Sequence, residues 1–521
     1  MPGKGSSLAL FAALLMAACG GSGGDAGSSA SATGGMTAGA GSGGPPAAGT
    51  LLVSPAQKVA TVTAPSLLLT LGGNQQLLTL SGAPVCDLSM YRVQYETVDG
   101  GGEPTTASAA LMVPSGSASG CSGPRPILLY AHGTSTDRAF TMTDMSNAET
   151  LALAALFVSQ GYIVVAPNYA GYDTSTLSYH PYLIAAQQSA DMSDALQAAR
   201  TAVPLTGLSS TDSGKLFIAG YSQGGYVAMA TQRALQAAGV PVTAAAPMSG
   251  PYALAAFGDA VFYGEVNGGA PISTTFLLTA YQAAYGNIYS SPAEVFEPQY
   301  ATGIGSLLPT SLTRSQLYAQ GLLPQYALFS PTPPAAQYAA DTPPTLPADL
   351  AEVFAAGFGA NNLILNSYRL SYLQDAEANP DGGFPTLTSG VPAASPQLPW
   401  RQALARNDLR DWVPVAPTQL CGGDADPVVF WLNTQLMQNY WSSRAPATAS
   451  IGVLDLEAPV STSDAYTDLK QGFQAAKTAV ATDAILQGAT DGGVAAVAEA
   501  YHATLVAPFC FAAARSFFSR Y

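Results

Sequence analysis

One stretch limits the possible folds more than any other: Lys215 to Val227, reading KLFIAGYSQGGYV. A short apolar run (Leu216, Phe217, Ile218) leads into Gly-Tyr-Ser-Gln-Gly and then into a helical pattern. A serine on a sharp strand-to-helix turn needs small neighbours, because the backbone there is strained and crowded. Such a turn pushes the serine Oγ out to where a base can reach it. The N–H groups opening the next helix point at the same place, which suits a developing oxyanion. The G-x-S-x-G pattern alone does not select a site, since Gly20-Gly21-Ser22-Gly23-Gly24 also fits it. Only Ser222 follows a β-type run and precedes a helix, so Ser222 is the candidate nucleophile.

Around this turn, short apolar runs alternate with helical patterns. Pro126–Ala131 ends in His132-Gly133-Thr134, and further runs lie at Tyr162–Pro167, Val242–Pro247, Val413–Cys421 and Ala449–Leu456. Helices are predicted over Glu149–Gln160, Tyr182–Val203, Gly224–Ala238, Phe430–Ser442, Ala465–Leu486 and Pro508–Tyr521. Continuous apolar runs suit strands buried on both faces, so the expected class is α/β, with a mostly parallel central sheet and helices on both faces. Right-handed crossovers would put His132 and Ser222 on one edge of that sheet. Upstream, Met90–Val98 and Thr105–Val113 read as a hairpin about Asp99-Gly100-Gly101-Gly102. Between about 251 and 410 the rhythm breaks into helices (Thr275–Tyr285, Ala348–Phe358, Asn362–Ala376) and long loops, which reads as an inserted helical cap. Its rings (Tyr281, Tyr285, Tyr289, Phe296, Tyr300, Tyr318, Tyr326, Phe329, Tyr368, Tyr372) either form the cap's own core or line an apolar pocket.

With 33 acidic against 18 basic residues and a net charge of −15, the chain lacks the clustered cations that nucleic-acid binding requires. The first residues carry Lys4 and an apolar run, Leu8–Ala18, too short to span a bilayer. Leu15-Met16-Ala17-Ala18-Cys19 resembles a bacterial lipoprotein cleavage box, with Met16 where leucine is commoner. That resemblance implies a signal peptide over residues 1–19, lipidation of Cys19 and export. Residues 20–55, rich in Gly, Ser, Ala and Pro, read as a tether to a body spanning 56–521. No later stretch reads as a membrane span, so membrane contact is expected through the N-terminus only. In an exported chain the even set Cys86, Cys121, Cys421 and Cys510 suggests disulfides. Cys86 precedes the first hairpin strand and Cys121 follows the second, so both sit at its open end and are expected to pair. The cysteines are not in close pairs and there are three histidines, which argues against a metal site.

A serine hydroxyl needs a base to take its proton and an acid to hold that base. The candidate bases are His132, His180 and His502. The elbow GYSQGG (Gly220–Gly225), the upstream His132-Gly133-Thr134, the loop GGDADPVV (Gly422–Val429) and the late His502 together resemble the α/β-hydrolases, whose order along the chain is serine, acid, histidine. The hairpin, the segments Pro167–Asp173 and His180–Leu183 and the large cap are similar to secretory lipases of the lipase A kind. The likeness runs from about Leu80 to the C-terminus and is weakest in the cap.

The resemblance implies Ser222 as nucleophile, His502 as base and then acid, and Asp426 as orienting acid. Gly423, Asp426 and Val429 match the family's G-x-x-D-x-x-V, with Asp424 as the alternative acid. It assigns the oxyanion to the backbone N–H groups of Gln223 and Thr134, with Gly133 as the alternative to Thr134. His132 would shape that loop, and His180 would start a helix or pack. A Cys421–Cys510 bridge would tie the acid loop to the helix behind the base. The implied activity is hydrolysis of an apolar or uncharged carboxylic ester through an acyl-enzyme, with no cofactor. A serine peptidase and a non-catalytic binding protein on the same fold are the rival readings. Acyl length and oligomeric state stay open.

Overall fold

The computed structural model describes residues 46–348, 350–461 and 464–521. The signal segment, Cys19 and most of the tether lie outside the described residues. Among the described residues, one sheet carries nine strands: β1 (Gln57–Val62), β2 (Asp87–Val98), β3 (Pro104–Ser115), β4 (Gly123–Ala131), β5 (Ile163–Pro167), β6 (Ser210–Tyr221), β7 (Ala244–Met248), β8 (Thr418–Gly422) and β9 (Ile451–Asp455). Their spatial order is β1-β2-β3-β5-β4-β6-β7-β8-β9. The pairs from β1 to β5 through β3 are antiparallel, and all pairs from β5 to β9 are parallel.

The helices that frame the site are α1 (Ala148–Leu156), α2 (Ala185–Ala202), α3 (Gln223–Ala237), α4 (Leu254–Phe262), α5 (Ala270–Tyr285), α6 (Pro399–Arg406) and α7 (Ala507–Phe518). Every residue of β5, β7 and β8 is buried, as expected of strands covered on both faces. The strand period of two splits neighbours between two cores. Leu129, Val165 and Ile218 pack with α2 and α3 on one face, and Leu128, Val164 and Phe217 pack with α1 and α7 on the other.

Several boundaries differ from those read along the chain. The strand expected from Val413 begins at Thr418, because Pro414 and Pro417 cannot donate to a ladder. The helix expected from Tyr182 begins at Ala185, after Leu183 adopts φ 52°. β1 and two short helices, Ala64–Leu71 and Gln75–Ser81, had no expectation attached. β1 is an edge strand, largely exposed, and so lacks a buried apolar alternation. The expectation of no later span-length apolar segment is corrected: Val494–Phe518 is one helical run, long and apolar enough by composition to cross a membrane. It is pinned to the sheet here, with Phe509, Phe511 and Phe517 buried and Cys510 bonded to Cys421.

Between β7 and β8 the chain builds helices and loops whose only β-type pairings among the described residues are isolated bridges. Buried ion pairs brace this segment. Arg401 on α6 meets Asp259 on α4 at 2.8 Å and Asp375 at 3.2 Å, and Arg410 meets Asp381 at 2.7 Å and Asp408 at 2.9 Å. Removing one partner would strand a buried charge, so these pairs hold α4 and α6 in register. Both expected disulfides, Cys86–Cys121 and Cys421–Cys510, are present.

Candidate active site

Ser222 sits between β6 and α3 with φ 59° and ψ −123°, a conformation rarely open to a residue with a side chain. The surrounding glycines are sterically required. A Cβ on Gly220 would lie 2.1 Å from the Gly224 carbonyl oxygen, and one on Gly224 would lie 1.9 Å from that of Ala131. The Ser222 N–H donates to the Met248 carbonyl at 3.0 Å, which anchors the elbow to β7.

Asp426 lies just past β8, with 1% of its surface exposed. Its Oδ1 accepts the N–H groups of Val428 (2.9 Å) and Val429 (3.1 Å), and its Oδ2 accepts from His502 Nδ1 at 2.6 Å. A proton on Nδ1 leaves the lone pair on Nε2, the nitrogen that can take a proton. That Nε2 is buried and makes no hydrogen bond to any described residue. Asp424, the alternative acid, is exposed, and its N–H donates to Asp455. His502 was expected ahead of the closing helix but lies within a helical run, in a π turn over Tyr501–Val506. Such widened turns re-aim side chains at functional sites. The Tyr221 hydroxyl donates to the His502 carbonyl, and the two rings lie 5.0 Å apart. The residue before the serine therefore ties the elbow to the backbone of the histidine, a role the bare motif does not reveal.

On the opposite wall, the Gly133 N–H is already engaged, donating to Glu149 Oε1 at 3.1 Å and Oε2 at 3.2 Å. Of the two loop amides considered, Thr134 is the one that no carboxylate holds. Thr134 and Gln223 both line the cavity, and Thr134 Oγ1 lies 2.9 Å from the Tyr182 hydroxyl. His132 is fully buried and stacks on Tyr169 at 4.1 Å, with burial lowering its pKa to about 4. It is a neutral wedge behind the loop. His180 starts no helix. Its Nδ1 faces the Ala170 carbonyl at 3.0 Å, and its Nε2 faces Gln223 Nε2 at 2.7 Å. Burial lowers its pKa to about 3, so its neutral Nε2 accepts from the Gln223 amide and holds that side chain in place. The packing role expected of His180 is thus a specific one, aimed at the residue after Ser222.

Residues 149–277, which include the elbow, match the prolyl oligopeptidase family. No curated protein matches the chain. Among solved structures, the rice cell wall degrading esterase LipA from Xanthomonas oryzae aligns with a TM-score of 0.61 at 26% identity, over 85% of this chain and 99% of that one. A protein from Legionella pneumophila aligns with a TM-score of 0.59 at 18% identity, over 89% and 96% of the two chains, and shares the fold. The chain is a serine hydrolase with the α/β-hydrolase fold.

Ser222 and His502 of the hydrolase open onto one cavity of about 390 Å³. Its walls are largely apolar, built by Leu254, Val261 and Phe262 of α4, Ile272 and Leu277 of α5, and Leu404 of α6. The cap therefore supplies the lining, but none of the ten rings singled out in its sequence contributes. Most of them are instead packed within the cap: Tyr372, for example, stacks on Phe262 at 3.7 Å. Recurrence of aromatics marked a core and not a pocket.

Proposed function

We propose that this hydrolase is an exported carboxylic-ester hydrolase of the lipase/esterase type. The observation that carries the proposal is that His502, paired with the buried Asp426, shares a largely apolar cavity with the strained Ser222. His502 Nε2 takes the proton of Ser222 Oγ as Oγ attacks the ester carbonyl, and the oxyanion is held by the N–H groups of Gln223 and Thr134. The imidazolium, paired with Asp426, returns the proton to the departing alcohol. Water then attacks the acyl-enzyme with the same base, releasing the acid and restoring Ser222. The apolar walls favour an uncharged acyl chain. The likeness to an esterase over 85% of the chain supports an ester substrate.

A fluorophosphonate probe should label the wild type and leave Ser222→Ala unlabelled. A chain-length series of p-nitrophenyl esters should be turned over. Equal labelling of the variant would favour a non-catalytic binding protein. The match to the prolyl oligopeptidase family favours a peptidase as the second reading, and turnover of aminoacyl amides without esters would establish it. The two disulfides fit an exported protein. We place the body on a membrane surface through lipidated Cys19 and the tether. Metabolic labelling with a fatty acid should mark the wild type, and Cys19→Ser should release it.

A further inference from the structure

Glu149 is a carboxyl group that the catalytic scheme leaves unused. It stands in the first turn of α1, where an acid ordinarily faces solvent and complements the helix dipole. Here it turns inward. Oε2 accepts the Tyr130 hydroxyl at 2.5 Å, both oxygens face the Gly133 N–H, and the residue lines the catalytic cavity. A Cβ on Gly133 would lie 2.9 Å from Glu149 Oε1 and 3.8 Å from Ser222 Cβ, so the carboxyl group packs directly behind the loop that faces the nucleophile.

We propose that Glu149 is a positioning residue for the reaction: its carboxyl group pins the peptide leading to Thr134, so that the Thr134 N–H faces the oxyanion. The proposal follows from hydrogen bonding. With the Gly133 N–H drawn onto Glu149, the loop cannot rotate that amide toward the serine, and Thr134 is left to meet the oxyanion. The groups whose charge acts with Glu149 are Tyr130 on β4, Tyr169 after β5, Tyr221 on β6 and His502 ahead of α7. Burial and neighbouring carboxylates push the three phenols well above their usual range, so they stay neutral. Burial also raises the Glu149 carboxyl to about 7, while Tyr130, Gly133 and the charge of His502 pull it back toward ionisation. In either protonation state the carboxyl group keeps an oxygen that accepts from the Gly133 N–H.

The inference rests on the ester-hydrolase reading, and its test separates the two. Kinetics of p-nitrophenyl butyrate hydrolysis are measured against pH for wild type, Glu149→Gln and Glu149→Ala. The Gln amide can still accept from Gly133 but carries no charge. Its kcat on the pH plateau should stay within about threefold of wild type, because the hydrogen bond from Gly133 is kept. Glu149→Ala also releases Gly133 and should have a kcat about tenfold below Glu149→Gln, with KM changed by less than about twofold. An Ala variant equal to the Gln variant overturns the proposal, whatever level of activity the two share. If wild type does not hydrolyse the ester, that outcome sinks the ester reading alone. The ratio of the Ala to the Gln variant is then read from the rate of fluorophosphonate labelling of Ser222, and it decides for or against Glu149.

Discussion

Exchanging Asp426 for asparagine isolates one proton. The two side chains have the same shape, but the amide offers one acceptor and one donor where the carboxylate of Asp426 offers two acceptors. In the native site Oδ1 receives two backbone N–H groups, at 2.9 and 3.1 Å, and Oδ2 receives His502 Nδ1–H at 2.6 Å. The amide oxygen will keep the two backbone donors, because turning it would aim an NH₂ at both. That turn costs two buried hydrogen bonds, about 2–5 kcal/mol in all. The NH₂ therefore faces His502 Nδ1 and drives the ring proton to Nε2, which can no longer accept from Ser222. Molecules that do turn still lack the carboxylate that stabilises the imidazolium, a further charge-assisted hydrogen bond of about 1.5–3 kcal/mol. Together these effects amount to about 3.5–8 kcal/mol, or a loss in kcat on the order of 10³–10⁶. Steady-state hydrolysis of p-nitrophenyl butyrate measures it, with KM expected to change by less than about threefold. Asp424→Asn, altered at an exposed carboxylate, should stay within about twofold of wild type. Retention of about a tenth of the activity in Asp426→Asn, or an equal loss in Asp424→Asn, would refute the assignment.

Other sites give further expectations. His180→Phe keeps a ring among Tyr169 and Tyr172 but removes the acceptor for Gln223, so kcat should drop about tenfold with KM little changed. Equal kcat would detach His180 from the site. Glu265, a mostly buried acid raised to about 7 by burial alone, binds its proton more tightly folded than unfolded. Its favourable contribution is present below its unfolded pKa of about 4.5 and is lost as pH rises through about 7. Glu265→Gln should therefore stabilise the protein by about 2 kcal/mol above pH 8 and hardly at all at pH 5, as read by urea unfolding at the two pH values. The Cys421–Cys510 bridge closes a separation of 89 residues, so the double serine variant should lose about 3–4 kcal/mol of stability and soften the link between the Asp426 loop and α7. Unchanged unfolding with intact kcat would show that this tie is dispensable.

What could be read along the chain was whatever is written locally. The runs Pro126–Ala131 and Tyr162–Pro167 announced buried strands because helices cover both faces, and that demands continuous apolar side chains. The elbow announced itself because Gly220 and Gly224 are excluded from being anything else by backbone atoms within 2.1 Å. β1 could not be found this way, since an edge strand with exposed residues has no pattern to show. The π turn at His502 was equally hidden: Tyr-His-Ala-Thr-Leu-Val carries no glycine or proline, and the turn shows itself only where Tyr221 reaches its backbone. Glu149 is the sharpest case. Along the chain it is an acid in the first turn of a helix, where such residues are commonplace. It joins the site because the parallel pairing of β4 with β6 brings the loop after Ala131 alongside Ser222, and because Gly133, having no side chain, lets a carboxylate approach its N–H. Neither condition is local to Glu149. A residue whose function depends on the register of two other strands leaves no mark in its own neighbourhood of sequence. The groups we propose for the chemistry could therefore be named from motifs, whereas Tyr221, His180 and Glu149, which pack around them, required coordinates.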